Sequence, residues 1–144
     1  MSGIGSRNVL RILLVDDEAM IRRFLRHALE QSGYRVDEAE SGETGLDALH
    51  AVSYDLVITD IVMPGMSGVE LVETSRRTWP QIPVIVMSGG GRLGDDDHLQ
   101  TALDLGAAAA VNKPFRLREL QNVIESVLSA AVEDEDARTC TVAC

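Results

Sequence analysis

Short apolar runs that end in polar residues constrain the fold of this chain more than any other feature. The runs and the polar residues that follow them are 12–15 with Asp16 and Asp17, 56–59 with Asp60, 84–87 with Ser88, and 108–112 with Lys113. Short apolar runs separated by helical stretches are typical of a parallel sheet buried on both faces. The carboxyl ends of such strands share one edge of the sheet, where ligands bind. The sequence therefore predicts that three carboxylates, a hydroxyl and an ammonium meet at one edge.

Helical periodicity fills the segments between the runs. Apolar residues recur at helical spacing over 21–29, and Arg22, Arg23 and Arg26 are predicted to lie on the outer face of that helix. A weaker strand follows at 36–39, so that strands and helices alternate five times. Right-handed crossovers then place helices on both faces of the sheet. The predicted fold is α/β, a doubly wound five-stranded parallel sheet.

The length of 144 residues is sufficient for one domain with a proper core. We predict an N-terminal extension at 1–9, one folded domain at 10–131 and an acidic, disordered tail at 132–144. We expect no second domain after residue 131. The tail contains both cysteines, Cys140 and Cys144, and nothing in the sequence assigns them a role.

Charge and hydropathy exclude several classes of partner. Acidic residues outnumber basic ones 23 to 13, and the net charge of −10 predicts no binding to nucleic acid or to an anionic membrane. No apolar run approaches the ~20 residues of a membrane span. The first eight residues have no apolar stretch of the signal-peptide type. We therefore expect a cytoplasmic location.

The residue types at the strand ends suit phosphoryl chemistry with a divalent cation. Clustered carboxylates repel one another unless a cation is bound, and Mg²⁺ prefers oxygen ligands while keeping several waters. Asp60 can then act as a nucleophile that forms an acyl phosphate. Lys113 supplies a compact cation for one phosphoryl oxygen, and the Ser88 hydroxyl can donate to another. Each residue alone is weak evidence, since aspartates at strand ends usually form turns or caps, but the combination is specific.

Four motifs together carry a family resemblance. They are Leu14-Val15-Asp16-Asp17-Glu18, Asp60-Ile61-Val62-Met63-Pro64-Gly65-Met66-Ser67-Gly68, Val86-Met87-Ser88-Gly89 and Asn112-Lys113-Pro114-Phe115. With these motifs the chain resembles the receiver domains of two-component response regulators over roughly residues 10–130. The resemblance implies a flavodoxin-like sheet of strand order 2-1-3-4-5.

The resemblance also implies a magnesium site. Asp17 would bind Mg²⁺ directly, whereas Asp16 would do so largely through water. Asp60 and the backbone carbonyl of Val62 would complete the protein ligands.

The resemblance assigns the phosphoryl group to Asp60 as phosphoacceptor. Ser88 would occupy the switch position, Lys113 would contact the phosphoryl group, and the Lys113–Pro114 bond would be cis. The donor would be a sensor histidine kinase or a histidine phosphotransfer protein, and the output a contact with a downstream target protein. The chain would thus be a stand-alone switch that catalyses only its own phosphorylation and autodephosphorylation. The alternative is a phosphorelay intermediate or phosphate sink.

Two departures from the family pattern concern signal output. The family commonly has an aromatic residue three positions before the lysine, and this chain has Ala110 there. A methyl group cannot report a rotamer change, so the usual aromatic switch is absent. The stretch 88–106 is about three residues longer than is usual, with a glycine-rich segment at 89–94. That segment is either a tolerated insertion or a loop that has taken over the signalling.

Three other classes of protein share parts of the pattern. A haloacid-dehalogenase-like phosphohydrolase needs a second carboxylate two residues after the nucleophile, where this chain has Val62. An unphosphorylated receiver-like adaptor normally lacks part of the acidic set, which is complete here. A flavodoxin needs a phosphate-binding loop after the first strand, where Asp16, Asp17 and Glu18 would repel a phosphate unless a metal intervened.

Overall fold

A computed structural model describes residues 9–88 and 95–143, and the glycine-rich segment 89–94 lies outside the described residues. Five strands and five helices alternate within these two segments. They are β1 Arg11–Val15, α1 Ala19–Gln31, β2 Arg35–Ala39, α2 Gly42–Ala51, β3 Leu56–Asp60, α3 Gly68–Thr78, β4 Val84–Ser88, α4 Asp95–Asp104, β5 Ala109–Asn112 and α5 Leu117–Ala143.

The strands form one parallel sheet in the order β2-β1-β3-β4-β5, which confirms the predicted fold. All residues of β3 and β4 are buried, as expected for central strands covered on both faces. Because the strands are parallel, their carboxyl ends lie along one edge. Register places the end of β3 beside the end of β4, with Asp60 opposite Met87.

The period-two alternation of strand side chains divides the core between the two faces of the sheet. Leu13, Val15 and Val57 face a cluster that includes Leu71 of α3 and Ala102 of α4. The strand residues that alternate with them point to the opposite face of the sheet and pack in a second cluster. That cluster comprises Ile12, Leu14, Val36, Leu56, Ile58, Ile85, Met87 and Val111 of the strands, Leu25 and Leu29 of α1, and Leu120, Ile124 and Val127 of α5. Helices α1 and α5 thus cover one face, and α2, α3 and α4 the other.

Two capping boxes fix where helices begin after the strand ends. The Ser67 side chain accepts a hydrogen bond from the Glu70 N–H, and the Glu70 carboxylate accepts one from the Ser67 N–H. Ser41 and Thr44 form the same reciprocal pair at the start of α2. Caps of this kind contribute about 1 kcal/mol each. They hold α2 and α3 at the edge where the strands end.

Helix α5 continues through the acidic segment that the sequence predicts to be a disordered tail. Its backbone is helical for 27 residues, to Ala143. No glycine or proline interrupts 117–143, so nothing in the sequence stops the helix. The side chains of 131–143, and all of Cys144, lie outside the described residues. The domain boundaries at 9 and 131 stay predictions.

Despite the length of α5, no helix in the described part of the chain combines the length and apolar character needed to cross a membrane.

Candidate functional site

Three aspartates meet at the carboxyl-terminal edge of the sheet. Asp16 and Asp17 follow β1 directly, and Asp60 is the last residue of β3. Each offers a carboxylate oxygen, and these oxygens all lie within 4.8 Å of one another. Asp16 is fully buried and Asp60 is 6% exposed, whereas Asp17 is exposed. The structure therefore brings together the three carboxylates that the sequence predicts to converge.

Lys113 joins the cluster from the loop after β5. Its Nζ lies 3.2 Å from Asp60 Oδ2, 3.5 Å from Asp16 Oδ2 and 4.0 Å from Glu18 Oε1. The Lys113 N–H donates to the Ser88 carbonyl at 2.7 Å and so extends the β4–β5 ladder by one residue. The Lys113–Pro114 peptide bond is cis, as the resemblance implies. This backbone path directs the ammonium to the acidic cluster.

Ser88 ends β4 next to this ladder and is 1% exposed. Its position at the strand end is the one that the sequence predicts. Its role toward a phosphoryl group stays a prediction.

Asp16 is held from several directions. Its N–H donates to the Ala39 carbonyl at 3.1 Å, which continues the β1–β2 ladder past the end of the strand. Its Oδ1 accepts from the Glu18 N–H at 2.9 Å, a local turn that aspartate favours. Its backbone carbonyl accepts from Arg22 Nη1 at 2.6 Å. The Asp16 carboxylate is therefore fixed, with Oδ2 toward Lys113 and Oδ1 toward the start of α1.

Arg22 is a site-adjacent residue that the sequence assigns to the wrong environment. It is predicted to lie on the outer face of α1, yet its side chain is only 13% exposed and contacts both Asp16 and Glu38. Side chains on a helix tilt toward its amino terminus, so a residue in the first turn reaches back over the preceding loop. The position of Arg22 near the start of the helix is therefore a sequence signal for this contact. A helical-wheel plot of apolar and polar positions does not show it.

The connection from β3 to α3 passes close to Asp60 at Gly68, the first residue of α3. The Gly68 N–H donates to the Ile61 carbonyl at 2.7 Å, and a β-carbon at Gly68 would clash with the Asp60 carbonyl oxygen. Gly65 has a φ of +77°, a conformation that favours glycine. Val62 lies in the loop between β3 and α3 and is 46% exposed. Its backbone carbonyl as a metal ligand stays a prediction.

The acidic cluster carries more negative than positive charge. Burial raises the pKa of Asp60, Lys113 opposes this, and the nearby Asp16 charge adds to it, so that the net direction is upward. Burial alone would lower the pKa of Lys113, but Asp60 and Asp16 outweigh it and raise that pKa. The Lys113 ammonium lies within 4.0 Å of the Asp16, Glu18 and Asp60 carboxylates, and Asp17 adds a further carboxylate to the cluster. A bound cation would relieve the remaining repulsion.

The donor chemistry of the cluster fits magnesium. All three side-chain donors are carboxylates, and hard oxygen ligands favour Mg²⁺ over softer metals that prefer histidine or cysteine. One or two carboxylates are sufficient, because Mg²⁺ keeps several waters. The exposed Asp17 leaves the cluster open to solvent on one side.

Ala110 occupies the position where the resemblance leads one to expect an aromatic ring. It pairs with Val86 in the sheet register, is partly buried and packs against the core cluster shared with α2, α3 and α4. Its methyl group thus fills a core position and leaves no ring to reorient at this site.

Comparison with known proteins identifies the family. A family model of the response regulator receiver domain matches residues 12–125. The chain therefore belongs to the response regulator receiver domain family, whose members are signalling domains of two-component systems.

Two curated relatives show how much of a protein the match covers. The response regulator receiver protein CpdR of Brucella abortus is 36% identical over 121 residues, which are 84% of this chain and 98% of the relative. The uncharacterized transcriptional regulatory protein YkoG of Bacillus subtilis is 40% identical over 117 residues, or 81% of this chain. The chain spans about half the length of YkoG, at 50%.

A solved structure has the same fold. The CheY-like response regulator receiver domain protein from Methanospirillum hungatei superimposes with a TM-score of 0.81 at 30% identity. The match covers 88% of this chain and 99% of that protein. The fold is thus that of a response regulator receiver domain.

Proposed function

We propose that this chain is a phosphorylation-activated switch that accepts a phosphoryl group on Asp60, with Mg²⁺, from a sensor histidine kinase or a histidine phosphotransfer protein. The observation that carries the proposal is the surroundings of Asp60. It ends the central strand β3, is nearly buried, and lies beside Asp16, Asp17 and the Lys113 ammonium. Family membership supports a phosphorylation-dependent role for a site of this kind.

In the proposed reaction an Asp60 carboxylate oxygen attacks the phosphorus atom of the donor. The new bond joins that oxygen to phosphorus, while the bond from phosphorus to the donor breaks and its electron pair leaves with the donor. Lys113, whose Nζ lies 3.2 Å from Asp60 Oδ2, is proposed to neutralise charge on a phosphoryl oxygen. The Ser88 hydroxyl is proposed to donate to a second phosphoryl oxygen. Magnesium, when bound, supplies the charge that offsets repulsion between carboxylates and phosphate.

The proposed output is a phosphorylation-dependent contact with a downstream protein. The net charge of −10 argues against direct contact of this domain with nucleic acid. YkoG is named as a transcriptional regulatory protein, and about half of its length lies outside the match. Transcriptional output is therefore the second candidate, if this domain works with a segment of that kind. A cytoplasmic location is part of the same proposal.

Intact-mass spectrometry after incubation with acetyl phosphate tests the proposal. The parent should gain the mass of one phosphoryl group with Mg²⁺ and none when the metal is chelated. Asp60→Asn should gain none under either condition, and its circular dichroism spectrum serves as the control for folding. Labelling of Asp60→Asn to the level of the parent would end the proposal.

A further inference from the structure

Arg22 connects three elements beside the acidic cluster. Its Nη1 donates to the Asp16 carbonyl at 2.6 Å, and its Nε donates to Glu38 Oε1 at 2.7 Å. Glu38 belongs to β2, where it lies opposite Leu14 of β1. Since its own backbone is in the first turn of α1, Arg22 ties this helix to β2 and to the end of β1.

Glu38 anchors the other end of the arginine. Its Oε2 accepts from Arg26 Nη1 at 2.8 Å, so two guanidinium groups share one carboxylate. Burial would raise the pKa of Glu38, but hydrogen bonds from Arg26 and Arg22 outweigh it and lower that pKa. Glu38 therefore stays charged near neutral pH. The Glu38 side chain is 18% exposed, so solvent competes little with its bond to Arg22.

The Asp16 carbonyl belongs to the same rigid unit as the Asp17 N–H. The peptide bond is planar, so a group that fixes the carbonyl of Asp16 also fixes the orientation of the Asp17 backbone. Asp16 is further held by Glu18 and Ala39, whereas the Asp17 side chain is exposed. The Arg22 contact is thus a restraint on the less protected of the two aspartates.

We propose that Arg22 is a positioning residue for the cation site, which holds the Asp16–Asp17 peptide so that both carboxylates face Asp60. This inference rests on the proposed function, because it concerns the metal that the phosphoryl reaction uses. Groups that orient metal ligands from outside typically change metal affinity by about 10–100-fold when removed.

Charge repulsion alone predicts the opposite change in magnesium affinity when Arg22 is removed. A guanidinium near a cation site repels the cation, so removal of Arg22 would tighten binding if charge were its only effect. Positioning predicts weaker binding. The direction of the change therefore discriminates between the two effects.

The test is a magnesium titration of the full chain followed by NMR or calorimetry. Arg22→Ala should weaken affinity about tenfold, at the low end of the range for such groups. Arg26→Ala is the matched control, because it removes an arginine from the same Glu38 carboxylate without touching Asp16. Its affinity should stay within about twofold of the parent. Arg22→Lys should recover part of the loss, because an ammonium can donate to the carbonyl but lacks the fork that also reaches Glu38.

A second measurement needs no metal. Backbone ¹⁵N relaxation of metal-free protein should show larger motion at the Asp17 amide in Arg22→Ala than in the parent or in Arg26→Ala. Should Arg22→Ala fail to fold, Arg22→Lys and Glu38→Gln provide the same comparison with Arg26→Ala.

The inference is overturned if Arg22→Ala binds magnesium as tightly as the parent or more tightly, or if Arg26→Ala loses as much. Failure of the parent itself to bind magnesium would instead refute the metal in the proposed function. The relaxation data would then decide the positioning role: unchanged Asp17 motion overturns it, and increased motion in Arg22→Ala alone supports it.

Discussion

Asp37 and Asp60 are aspartates of the same sheet in opposite surroundings. Asp37 lies in the edge strand β2, where Arg11 and Tyr54 approach it. Asp60 ends the central strand β3 among further carboxylates. The pKa of Asp37 is lowered and that of Asp60 is raised. The fold thus stabilises the charged form of Asp37 and destabilises that of Asp60.

The Asp37 cluster is complete within the protein. Asp37 Oδ2 accepts from Arg11 Nε at 3.1 Å, from Arg11 Nη2 at 2.9 Å and from the Tyr54 hydroxyl at 2.6 Å. Burial would raise the pKa of Asp37, but these donors outweigh it. Burial, and then the bond to Asp37, raise the pKa of Tyr54 to about 12. Arg11 also lies over the Tyr54 ring, 5.5 Å from its centre. This cluster needs no ligand.

The Asp60 cluster lacks that balance, and the difference indicates which is functional. Among the described residues, Lys113 is the one basic side chain that forms ion pairs with Asp60 and Asp16, and the exposed Asp17 lies beside them. Carboxylates whose pKa is shifted by burial and by neighbouring like charges cluster at functional sites. The imbalance lowers stability in the free protein and favours a cation or a phosphoryl group with a cation.

The largest expected effect is a difference in sign between two neutralised aspartates. Asp37→Asn should lower the free energy of unfolding by about 1–2 kcal/mol, because it removes a charge-assisted network that is partly exposed. Asp60→Asn should raise it by about 1 kcal/mol without metal, because burial and Asp16 disfavour the charged form. Urea denaturation in chelator measures both. Effects of the same sign would remove the distinction between the clusters.

The next largest expected effect is the stabilisation of the parent protein by magnesium. A ligand present at tenfold above its dissociation constant adds about 1.4 kcal/mol to the free energy of unfolding. Asp17→Ala should lose this gain, because its exposed carboxylate is the predicted direct ligand. Thermal unfolding with and without Mg²⁺ tests this, and Asp55→Ala, an exposed carboxylate that accepts from the Arg11 N–H, is the control. Equal stabilisation of Asp17→Ala and the parent would show that the ligand assignment is wrong.

The contributions of the two clusters to the free energy of unfolding should also depend differently on pH. Asp60 has a raised pKa, so the folded state binds its proton more tightly, and its contribution to stability falls as pH rises above the ordinary value of 3.8. Asp37 has a lowered pKa, so its contribution is present above 3.8 and is lost as pH falls below it. As pH falls from neutral toward 4, the increase in the free energy of unfolding caused by Asp60→Asn should therefore shrink. The decrease caused by Asp37→Asn should stay nearly constant over the same range. Urea titrations at several pH values give both curves, and parallel curves would contradict the assigned pKa directions.

The smallest expected effect concerns the hydroxyl that completes the Asp37 cluster. Tyr54→Phe removes the 2.6 Å bond to Asp37 and keeps the buried ring. The free energy of unfolding should fall by about 1 kcal/mol, and magnesium affinity should not change. Denaturation together with a metal titration checks both. A loss of magnesium affinity would show that the two clusters are coupled.

Sequence reasoning recovers the convergence of the site because parallel strands place their ends at one edge. Asp16, Asp17, Asp60 and Lys113 each follow or end a strand, so their meeting needs only the strand positions. The order of the strands came from the family motifs, since periodicity alone does not fix which strands are neighbours.

The sequence predicts the surroundings of polar side chains less well where they interrupt the apolar pattern of a strand or helix. Strand β2 gives a weak signal because Asp37 and Glu38 interrupt its alternation, and each finds an arginine on a neighbouring element. The polarity of Arg22 predicts a solvent-exposed side chain, but its position in the first turn of α1 directs it to Asp16. These contacts depend on tertiary neighbours that a single segment does not reveal.

We propose that Asp60, the carboxylate whose charged form the fold disfavours, takes the phosphoryl group. Borohydride reduction of the phosphorylated protein, followed by peptide mass spectrometry, locates the acyl phosphate on one residue. The account predicts that the reduced residue is Asp60 alone, and only in samples that contained Mg²⁺ and acetyl phosphate. Reduction at Asp16, at Asp17 or at Asp37, with Asp60 unmodified, would contradict it.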